Sequence, residues 1–452
     1  MYKIIIILSF AFITNILFAQ TVLPTIFSED TFLRAENSPY LVENTVTINS
    51  GVTVQFEKSC TILFNEGKRF NVSGTLKLIG EQNDSIKLIT NVGATYWGPI
   101  TTDSGNLIFD YVILQNPKRI ISASHGSVKI NNSRISAVIG AIGEDGIALH
   151  NADTLIILNS LLESDADGGK IDAIDADGIS YGNISNNIIK NWPDDGVDIG
   201  TSSHNVIINN NNIRNVDFGI SVGESSVVYA ERNVIYDSYG GLQSHDGATL
   251  TADHNTIYKI VRALMPHHGT QTNTGGTLTV TNTIMYKATS ADYTVQTNSV
   301  LDVSYSISSK NVLPGDNNLF GNPLFVDTTN FNLYLSDNSP CIDSGDPNYT
   351  GIYNGLHTDM GAFEYDYVSS ENINVNSENN LLIYPNPAKN NLQLIINNEQ
   401  LINTNIVIYD VFGRKVKQFE ITNLKLRIKV SDLQEGIYFV KFNDKMVKFI
   451  KD

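Results

Sequence analysis

The chain contains very little cysteine. Cys60 and Cys341 are the two cysteines among 452 residues. Two thiols cannot supply the disulfide framework that holds many small exported domains together. Stability must then come from packing, or from packing together with a metal. We predict two isolated, buried thiols.

Positive charge is also scarce. The chain has 30 Lys and Arg against 47 Asp and Glu, a net charge of −17. Residues 144–198 hold twelve acids against two lysines, Lys170 and Lys190. Because phosphates require a basic surface, this composition argues against a nucleic-acid partner. An acidic body suits cation binding or solubility, and no group of Cys and His has zinc spacing.

One long apolar run stands at the N-terminus. It follows Lys3, continues to Phe18 and ends at Ala19-Gln20. The run is short for a membrane span and predicts a secretory signal peptide over residues 1–19. We expect a repeat body with its C-terminal cap over 20–365, a polar linker over 366–380 and a further domain over 381–452.

A ladder of asparagines marks the repeat body. Each stands two residues before an isoleucine, and the steps are 24, 22, 22 and 27 residues. The members are Asn187, Asn211, Asn233, Asn255 and Asn282, preceding Ile189, Ile213, Ile235, Ile257 and Ile284, with looser copies at Asn132 and Asn159. This period, with short alternating apolar runs, predicts an all-β fold, a right-handed parallel β-helix. The asparagines should hydrogen-bond along the stack and the isoleucines fill the interior, with the cysteines at opposite ends.

A recurring glycine followed by an apolar residue aligns five coils. The glycines are Gly146, Gly178, Gly196, Gly219 and Gly241. In this alignment an acidic insertion loops out, and Asp145, Asp177 and Asp195 stack beside Asp194 and Asp198 at the strand spacing of about 4.8 Å. Two carboxylates about 5 Å apart repel by about 3 kcal/mol at an effective dielectric of about 20. Such a stack must be solvated, partly protonated or neutralised by a cation, and Ca²⁺ is the cation that best suits oxygen ligands in loose geometry. The alternative is a turn motif, since Asp-Gly is common in turns.

The run Asp194-Asp195-Gly196-Val197-Asp198, with Asp177 one coil earlier, resembles the calcium site of family-nine pectate lyases. The resemblance implies that Asp177, Asp194, Asp195 and Asp198 bind calcium and that a lysine in a later coil removes a proton. Val197 stands where that family has an aromatic residue, and Ser221 stands where the lysine is expected. The basic candidates for catalysis in later coils are Lys259, Arg262, His267 and His268.

The segments DADG and PDDG also resemble polygalacturonase-like hydrolases. That resemblance implies a carboxylate pair plus helper from Asp177, Asp194 and Asp195. Phe218 stands where those enzymes have a histidine. Side chains that could contact sugar rings or face the same groove are Trp192, Tyr239 and His245.

The last segment resembles the C-terminal sorting domain of the type IX secretion system. The matching residues are Tyr384-Pro385-Asn386-Pro387, Phe412-Gly413-Arg414 and Gly436-Ile437-Tyr438. The resemblance implies the secretion machinery as a partner and export across the outer membrane, followed by release or attachment to the cell surface. The alternating strands themselves predict a small β-sandwich.

Three functions stay open at this point. The first is a monomeric polysaccharide-interacting protein acting as a calcium-dependent lyase on a uronate-containing glycan. The second is a non-catalytic surface or adhesion scaffold with a structural calcium site, and the third is a polygalacturonase-like hydrolase. The missing lysine favours the scaffold, whereas acids beside a histidine-rich coil favour an enzyme.

Overall fold

The structure is a computed structural model of the chain. It describes residues 20–137, 145–165, 169–269, 273–351 and 353–365, then 381–384, 388, 391–396, 405–410, 414–420, 425–434, 436–442 and 445–451. The predicted signal peptide and linker lie outside these residues. Two compact units, Met1–Glu364 and Tyr365–Asp452, make up the chain.

Three parallel sheets form the first unit, a β-solenoid as predicted. Each coil contributes one strand to each sheet in turn, so neighbours within a sheet come from successive coils. Along most strands buried and more exposed residues alternate, since the side chains of a strand point to opposite faces.

The first sheet has fourteen strands in the described residues. They are Thr21–Val22, Tyr40–Val42, Thr61–Phe64, Ile86–Thr90, Val112–Gln115, Arg134–Ala137, Leu161–Ser164, Ile188–Lys190, Asn212–Arg214, Val234–Tyr236, Thr256–Tyr258, Ile284–Tyr286, Ile307–Ser308 and Leu319–Phe320.

The second and third sheets have twelve strands each in the same residues. The second sheet contains Ile26–Phe27, Val46–Ile48, Phe70–Val72, Ile100–Asp103, Ile121–Ser124, Ile147–His150, Ile174–Asp177, Val197–Gly200, Phe218–Val222, Gly240–Ser244, Arg262–Pro266 and Ala291–Tyr293. The third contains Thr31–Leu33, Thr53–Phe56, Thr75–Ile79, Asn106–Asp110, Ser127–Asn131, Thr154–Leu158, Gly182–Ser185, Val206–Asn209, Val227–Glu231, Thr249–Asp253, Thr277–Thr281 and Val300–Ser304.

Stacked aliphatic side chains fill the interior. Ile189, Ile213, Ile235 and Ile257 lie opposite one another in successive coils and are buried. Both cysteines are buried and free, as predicted. The core therefore continues from coil to coil, with no disulfide among the described residues.

The asparagine ladder forms at the corner between the third and first sheets. The Asn187 backbone N–H and Nδ2 both donate to Asn211 Oδ1, at 2.9 and 3.0 Å. Asn211 donates in the same way to Asn233, and Asn233 to Asn255. All four side chains are buried. The ladder satisfies amide groups that would otherwise be costly to bury.

The ladder differs from the prediction at both ends. Thr283, not Asn282, accepts the Asn255 N–H. In the upstream coils Ser133 and Ser160 occupy the ladder positions, so the copies predicted at Asn132 and Asn159 are wrong. These two asparagines have positive φ, 48° and 51°, and they turn the chain, a role that asparagine tolerates well.

Residues 322–364, which we call the cap segment, pack on the outer face of the first sheet. The segment contains an antiparallel pair, Phe325–Asp327 and Asn332–Leu335. Leu333 and Ala362 bury Tyr236 and Tyr258 of the first sheet. The segment thus covers the side of several coils.

The second unit is a pair of antiparallel sheets, as predicted for the C-terminal domain. Leu381–Tyr384, Asn391–Ile396 and Lys425–Lys429 form one sheet. Lys415–Glu420, Asn405–Asp410, Gly436–Phe442 and Lys445–Lys451 form the other. Side chains of both sheets, including Leu392, Ile408 and Phe449, share one core.

Helical structure is nearly absent from the described residues. A short 3₁₀ helix spans Ala35–Asn37. In this part of the chain no helix has the length and apolar character needed to cross a membrane.

Candidate functional site

An aspartate column lies at the entry to the second sheet. Asp145, Asp172 and Asp195 come from three successive coils. The Asp172 N–H donates to Asp145 Oδ1 at 3.1 Å, and the Asp195 N–H donates to Asp172 Oδ1 at 2.7 Å. The Phe218 N–H donates to Asp195 Oδ1 at 2.8 Å. Each carboxylate therefore caps a backbone amide of the following coil.

The register corrects the predicted membership of this column. Asp175 lies opposite Asp198, and Asp177 lies opposite Gly200. The alignment of Gly178 with Gly196 is therefore wrong, and Asp172 takes the place in the column that was predicted for Asp177.

The reason for this register lies in the core. Ile174 and Ala176 point inward and are fully buried, like Val197 and Ile199 in the next coil. A shift that moved Gly178 into the glycine column would disturb this apolar stack. Pairing is fixed by which side chains fill the interior, because a one-residue slip exchanges the two faces.

Asp177 lies on the same outer face, at the end of its strand. Thr201 Oγ1 donates to Asp177 Oδ1 at 2.9 Å, and His150 Nδ1 lies 3.4 Å from Asp177 Oδ2. Asp177 and Asp195 thus belong to neighbouring coils of one sheet, at opposite ends of their strands. Whether Asp177 binds a metal stays a prediction.

Carboxylate oxygens converge at two places around Asp172. Oxygens of Asp145, Asp172 and Asp175 lie within 4.8 Å of one another, and so do oxygens of Asp172, Asp194 and Asp195. We call these five residues the acidic cluster. Its all-oxygen donors and irregular arrangement suit Ca²⁺ better than Mg²⁺ or Zn²⁺.

The electrostatics of the acidic cluster favour neutralisation. Burial raises the pKa of Asp172 to about 10, and the charges of Asp198 and Asp195 add to the shift. Burial, then the charge of Asp198, also raises the pKa of Asp195 well above its ordinary value. Burial, then the charge of Asp145, raises the pKa of Asp175. At neutral pH these groups need protons or a cation.

Asp194 belongs to the acidic cluster, and Asp198 lies beside it. Burial raises the pKa of Asp198 to about 6, while a hydrogen bond from Ser221 and the charge of His245 oppose the shift. Burial also raises the pKa of Asp194, and Lys170 opposes that shift. Asp198 can therefore ionise near neutral pH more easily than Asp172.

A histidine pair lies two coils beyond Asp195. His245 Nδ1 is 2.9 Å from Oδ2 of Asp246, whose side chain is 4% exposed. The imidazoles of His245 and His267 stack with centroids 5.0 Å apart. Since Nδ1–H donates to the carboxylate, Nε2 of neutral His245 carries the lone pair.

Gln243 links the aspartate column to the histidine pair. Its Nε2 donates to Ser221 Oγ at 2.9 Å and reaches Asp195 Oδ2 at 3.4 Å. His267 Nε2 lies 3.2 Å from Gln243 Oε1. A continuous polar network thus runs from the aspartate column to the histidines.

Two glycines, Gly200 and Gly223, lie against the side chains of Asp177 and His245. A Cβ on Gly200 would lie 2.3 Å from Asp177 Oδ1, and one on Gly223 would lie 2.4 Å from Cε1 of His245. The backbone at these positions thus approaches the side chains of Asp177 and His245 more closely than any other residue would allow. We call the outer face from Asp145 to His267 the groove face.

Other predicted site residues lie elsewhere. Lys259 pairs with Asp237 at 2.8 Å and lies over the Phe331 ring of the cap segment. His268 is exposed. Trp192 is 2% exposed, so its ring faces are covered by the core. Of these three, His268 reaches the network through its backbone, since its carbonyl oxygen lies 3.0 Å from His267 Nδ1.

Arg262 and Tyr239 form a pair at the border of the groove face. The guanidinium lies over the Tyr239 ring, 5.4 Å from its centroid, and hydrogen-bonds to its hydroxyl. Phe218 contacts the same ring edge-on at 5.7 Å. The pair lies in the two coils that follow Phe218, because Gly240 lies opposite Phe218 and Arg262 lies opposite Gly240.

Two family models match the chain. Residues 119–300 match "Right handed beta helix region", and residues 382–452 match "Secretion system C-terminal sorting domain". The chain is a right-handed β-helix protein with a secretion sorting domain. The sorting domain marks the β-helix for export by type IX secretion, to the cell surface or the extracellular space.

Two solved structures are similar to the β-helix chain. Pectate lyase Pel9A has a TM-score of 0.38 at 16% identity, covering 77% of this chain and 86% of that one. The periplasmic alginate epimerase AlgG has a TM-score of 0.33 at 10% identity, covering 61% and 84%. No curated protein matches. Likenesses this weak carry no argument about chemistry.

Sequence reasoning missed Asp172 and Asp175 as cluster members. Asp172 lies in the acidic insertion that was expected to loop out, and Asp175 begins the DADG segment that was aligned on Gly178 instead. The available signal was the buried–outward–buried pattern of Ile174-Asp175-Ala176, which matches Val197-Asp198-Ile199. Gln243, which links the aspartate column to His267, was also missed.

Proposed function

We propose that the β-helix binds a uronate-containing polysaccharide along the groove face and cleaves it by calcium-assisted β-elimination. The supporting observation is that acids and a histidine line one face within five successive coils. Buried acids that need a cation lie at one end, and His245, oriented by Asp246, lies at the other. A polyanion would be repelled by the acids alone, so the cation is required for binding.

Calcium would be held by Asp172 and its neighbours in the acidic cluster. An ion held where the cluster meets Asp198, the acid whose pKa is raised by burial and lowered in part by the charge of His245, would neutralise a uronate carboxylate and would acidify the proton on the adjacent carbon. Asp198, whose pKa is raised to about 6, and Asp177 are further oxygen donors on the same face. This donor set supplies carboxylates in the number and variety that calcium accepts.

His245 is the proposed base. Its Nε2 makes no hydrogen bond within the described residues, and its side chain is 21% exposed. Nε2 takes the proton from the carbon next to the uronate carboxylate. That electron pair forms a carbon–carbon double bond, the bond to the glycosidic oxygen breaks, and the leaving oxygen takes a proton from solvent. Asp246 stabilises the imidazolium that forms.

The test is ultraviolet absorbance of the new double bond. Purified protein is mixed with pectate, alginate and other uronate polymers, with calcium or with EDTA. Absorbance should rise in the samples that contain calcium and should not rise in those that contain EDTA. The His245→Gln variant should lose activity by about 10²- to 10⁴-fold, the usual contribution of a general base. The exposed His268 supplies the matched control, His268→Gln, which should keep wild-type activity.

Each other result has a definite meaning. If new reducing ends form without a rise in absorbance, the protein cleaves the polymer by hydrolysis and not by elimination. Calcium-dependent polymer binding without either product would leave a non-catalytic scaffold, the function that Ser221 favours because it stands where a lysine was expected. Neither binding nor products with any polymer would remove the proposal altogether.

A further inference from the structure

A second group of possible metal ligands lies away from the groove face. It sits at the corner between the third and first sheets, beneath the cap segment. Glu231 and Asp253 lie opposite each other in adjacent coils, and His254 follows Asp253. One ligand atom of each lies within 4.8 Å of the other two. His254 is fully buried, and Asp253 is 9% exposed.

The hydrogen bonds around His254 determine its tautomer. Thr358 Oγ1 donates to Glu364 Oε1 at 2.9 Å, so its single proton is used. His254 Nε2, 2.6 Å from Thr358 Oγ1, must therefore be the donor in that contact. In the neutral ring Nδ1 is left with a lone pair and no proton.

That lone pair faces a carboxylate. Nδ1 is 2.9 Å from Asp253 Oδ1, yet it makes no hydrogen bond within the described residues. Two acceptor lone pairs at this distance repel each other. Either a second proton on the ring or a cation between the atoms would remove the repulsion, and the poor alignment of the contact favours the cation.

The charge balance leads to the same conclusion. Glu231, Asp253 and Glu364 supply three negative charges, and Arg232 supplies one positive charge through contacts of 3.6 Å to Glu231 and 3.2 Å to Glu364. The hydroxyl of Tyr349 donates to Glu231 and so adds no charge. A divalent ion would bring this buried group to neutrality.

We propose that His254 Nδ1 and the carboxylates of Glu231 and Asp253 bind a divalent transition-metal ion, with zinc as the probe. One imidazole and two carboxylates suit zinc, whereas calcium takes oxygen ligands. The ion fixes the cap segment to the solenoid, because Thr358 and Tyr349 of that segment contact two of the ligands. This site is independent of the proposed catalytic function.

The test measures zinc bound by the full chain. Protein is dialysed against micromolar zinc with calcium in large excess, which occupies the acidic cluster, and metal content is read by mass spectrometry. One zinc per chain is expected, together with a rise in melting temperature. Cobalt in place of zinc should give visible absorption bands that report a nitrogen ligand.

Variants identify the ligands. Asp253→Asn and His254→Gln should weaken zinc binding by at least about tenfold, the lower bound seen even for outer partners of metal sites. His357, exposed on the cap segment, gives the control His357→Gln, and His245→Gln tests the groove face. Both should retain zinc.

Two results would overturn the proposal. One is folded wild-type protein that retains no zinc, which would show that the His254 ring and the Asp253 carboxylate meet without a metal ion. The other is zinc that persists in folded Asp253→Asn and His254→Gln but disappears in His245→Gln. Circular dichroism establishes that each variant is folded. The first result would not bear on the proposed polymer cleavage, whereas the second would place zinc at His245, the proposed base.

Discussion

Two ladders run along this β-helix at different corners. Asn187, Asn211, Asn233 and Asn255 form one, and Asp145, Asp172 and Asp195 form the other. Both accept backbone N–H groups from a neighbouring coil. An asparagine amide carries donors and acceptors, so the first ladder is satisfied internally. An ionised carboxylate only accepts, so the second ladder keeps unneutralised charge.

This difference gives the two ladders different electrostatic requirements. The asparagine ladder needs nothing beyond the chain, whereas the aspartate ladder needs protons or a cation. A stack of buried acids lowers the stability of the apoprotein unless a ligand compensates. Sites of this kind are where perturbed pKa values accumulate in proteins that bind or react.

Replacing an asparagine of the first ladder by aspartate should give the largest loss of stability. In Asn211→Asp the carboxylate loses the donors to Ile184 O and Asn233 Oδ1. We expect a loss of about 4 kcal/mol of unfolding free energy at pH 7, since buried acceptors would then face each other. Denaturant unfolding measures the loss, which should shrink at pH 5.

The neighbouring position provides the control. Asn210 is exposed with positive φ, so Asn210→Asp should change stability by less than about 0.5 kcal/mol. Equal losses at positions 210 and 211 would show that the ladder hydrogen bonds contribute nothing specific.

The pH dependence of stability should distinguish the ladders next. The folded-state pKa values of Asp172 and Asp198 are raised to about 10 and about 6, so the folded chain keeps these protons longer than the unfolded chain. In EDTA, stability is highest near pH 4 and falls as pH rises, through pH 6 for Asp198 and toward pH 10 for Asp172. Each such carboxyl contributes a slope of about 1.4 kcal/mol per pH unit.

Calcium should flatten this dependence, because it stabilises the ionised carboxylates in the folded state. The measurement is unfolding free energy from pH 5 to 9 with and without the ion. Identical slopes in calcium and in EDTA would mean that the acidic cluster does not bind it.

Replacing an aspartate of the second ladder by asparagine should give the smallest change in stability. Asp195→Asn keeps an acceptor for the Phe218 N–H and removes one buried charge. Calcium-free protein should gain about 1 kcal/mol at pH 8, and the stabilisation by calcium should largely disappear. Asp153→Asn, at an exposed position, should change neither quantity. A melting-temperature series with added calcium compares the three proteins.

The sequence was sufficient for the solenoid and for most of one ladder. Steps of 22 and 24 residues carry Asn187 through Asn255 into register, because each is followed by one inward isoleucine. Asn282 preserves the same local pattern but lies one position out of register. Both Ile284 and Met285 are buried, so hydrophobicity alone could not tell which faces the interior and which faces the cap segment.

The acidic cluster was only partly predictable for a related reason. Asp194, Asp195 and Asp198 lie in one short run, so their proximity follows from local spacing. Asp172 and Asp175 depend on which part of an acidic segment forms the strand. Asp-Ala-Asp-Gly at 175–178 imitates the following coil closely, and only the packing of Ile174 decides between the alternatives.

Coil length has a consequence for the modularity of the protein. Asn211 and Asn233 are 22 residues apart, and so are Phe218 and Gly240. If residues 212–233 were deleted, Asn211 would lie opposite Asn255 in the asparagine ladder, and Asp195 would lie opposite Gly240 at the other corner. Both ladders would stay in register, and the groove face would be one coil shorter. A cut that does not remove a whole coil would leave donors facing empty positions, so this architecture can gain or lose length only in whole turns.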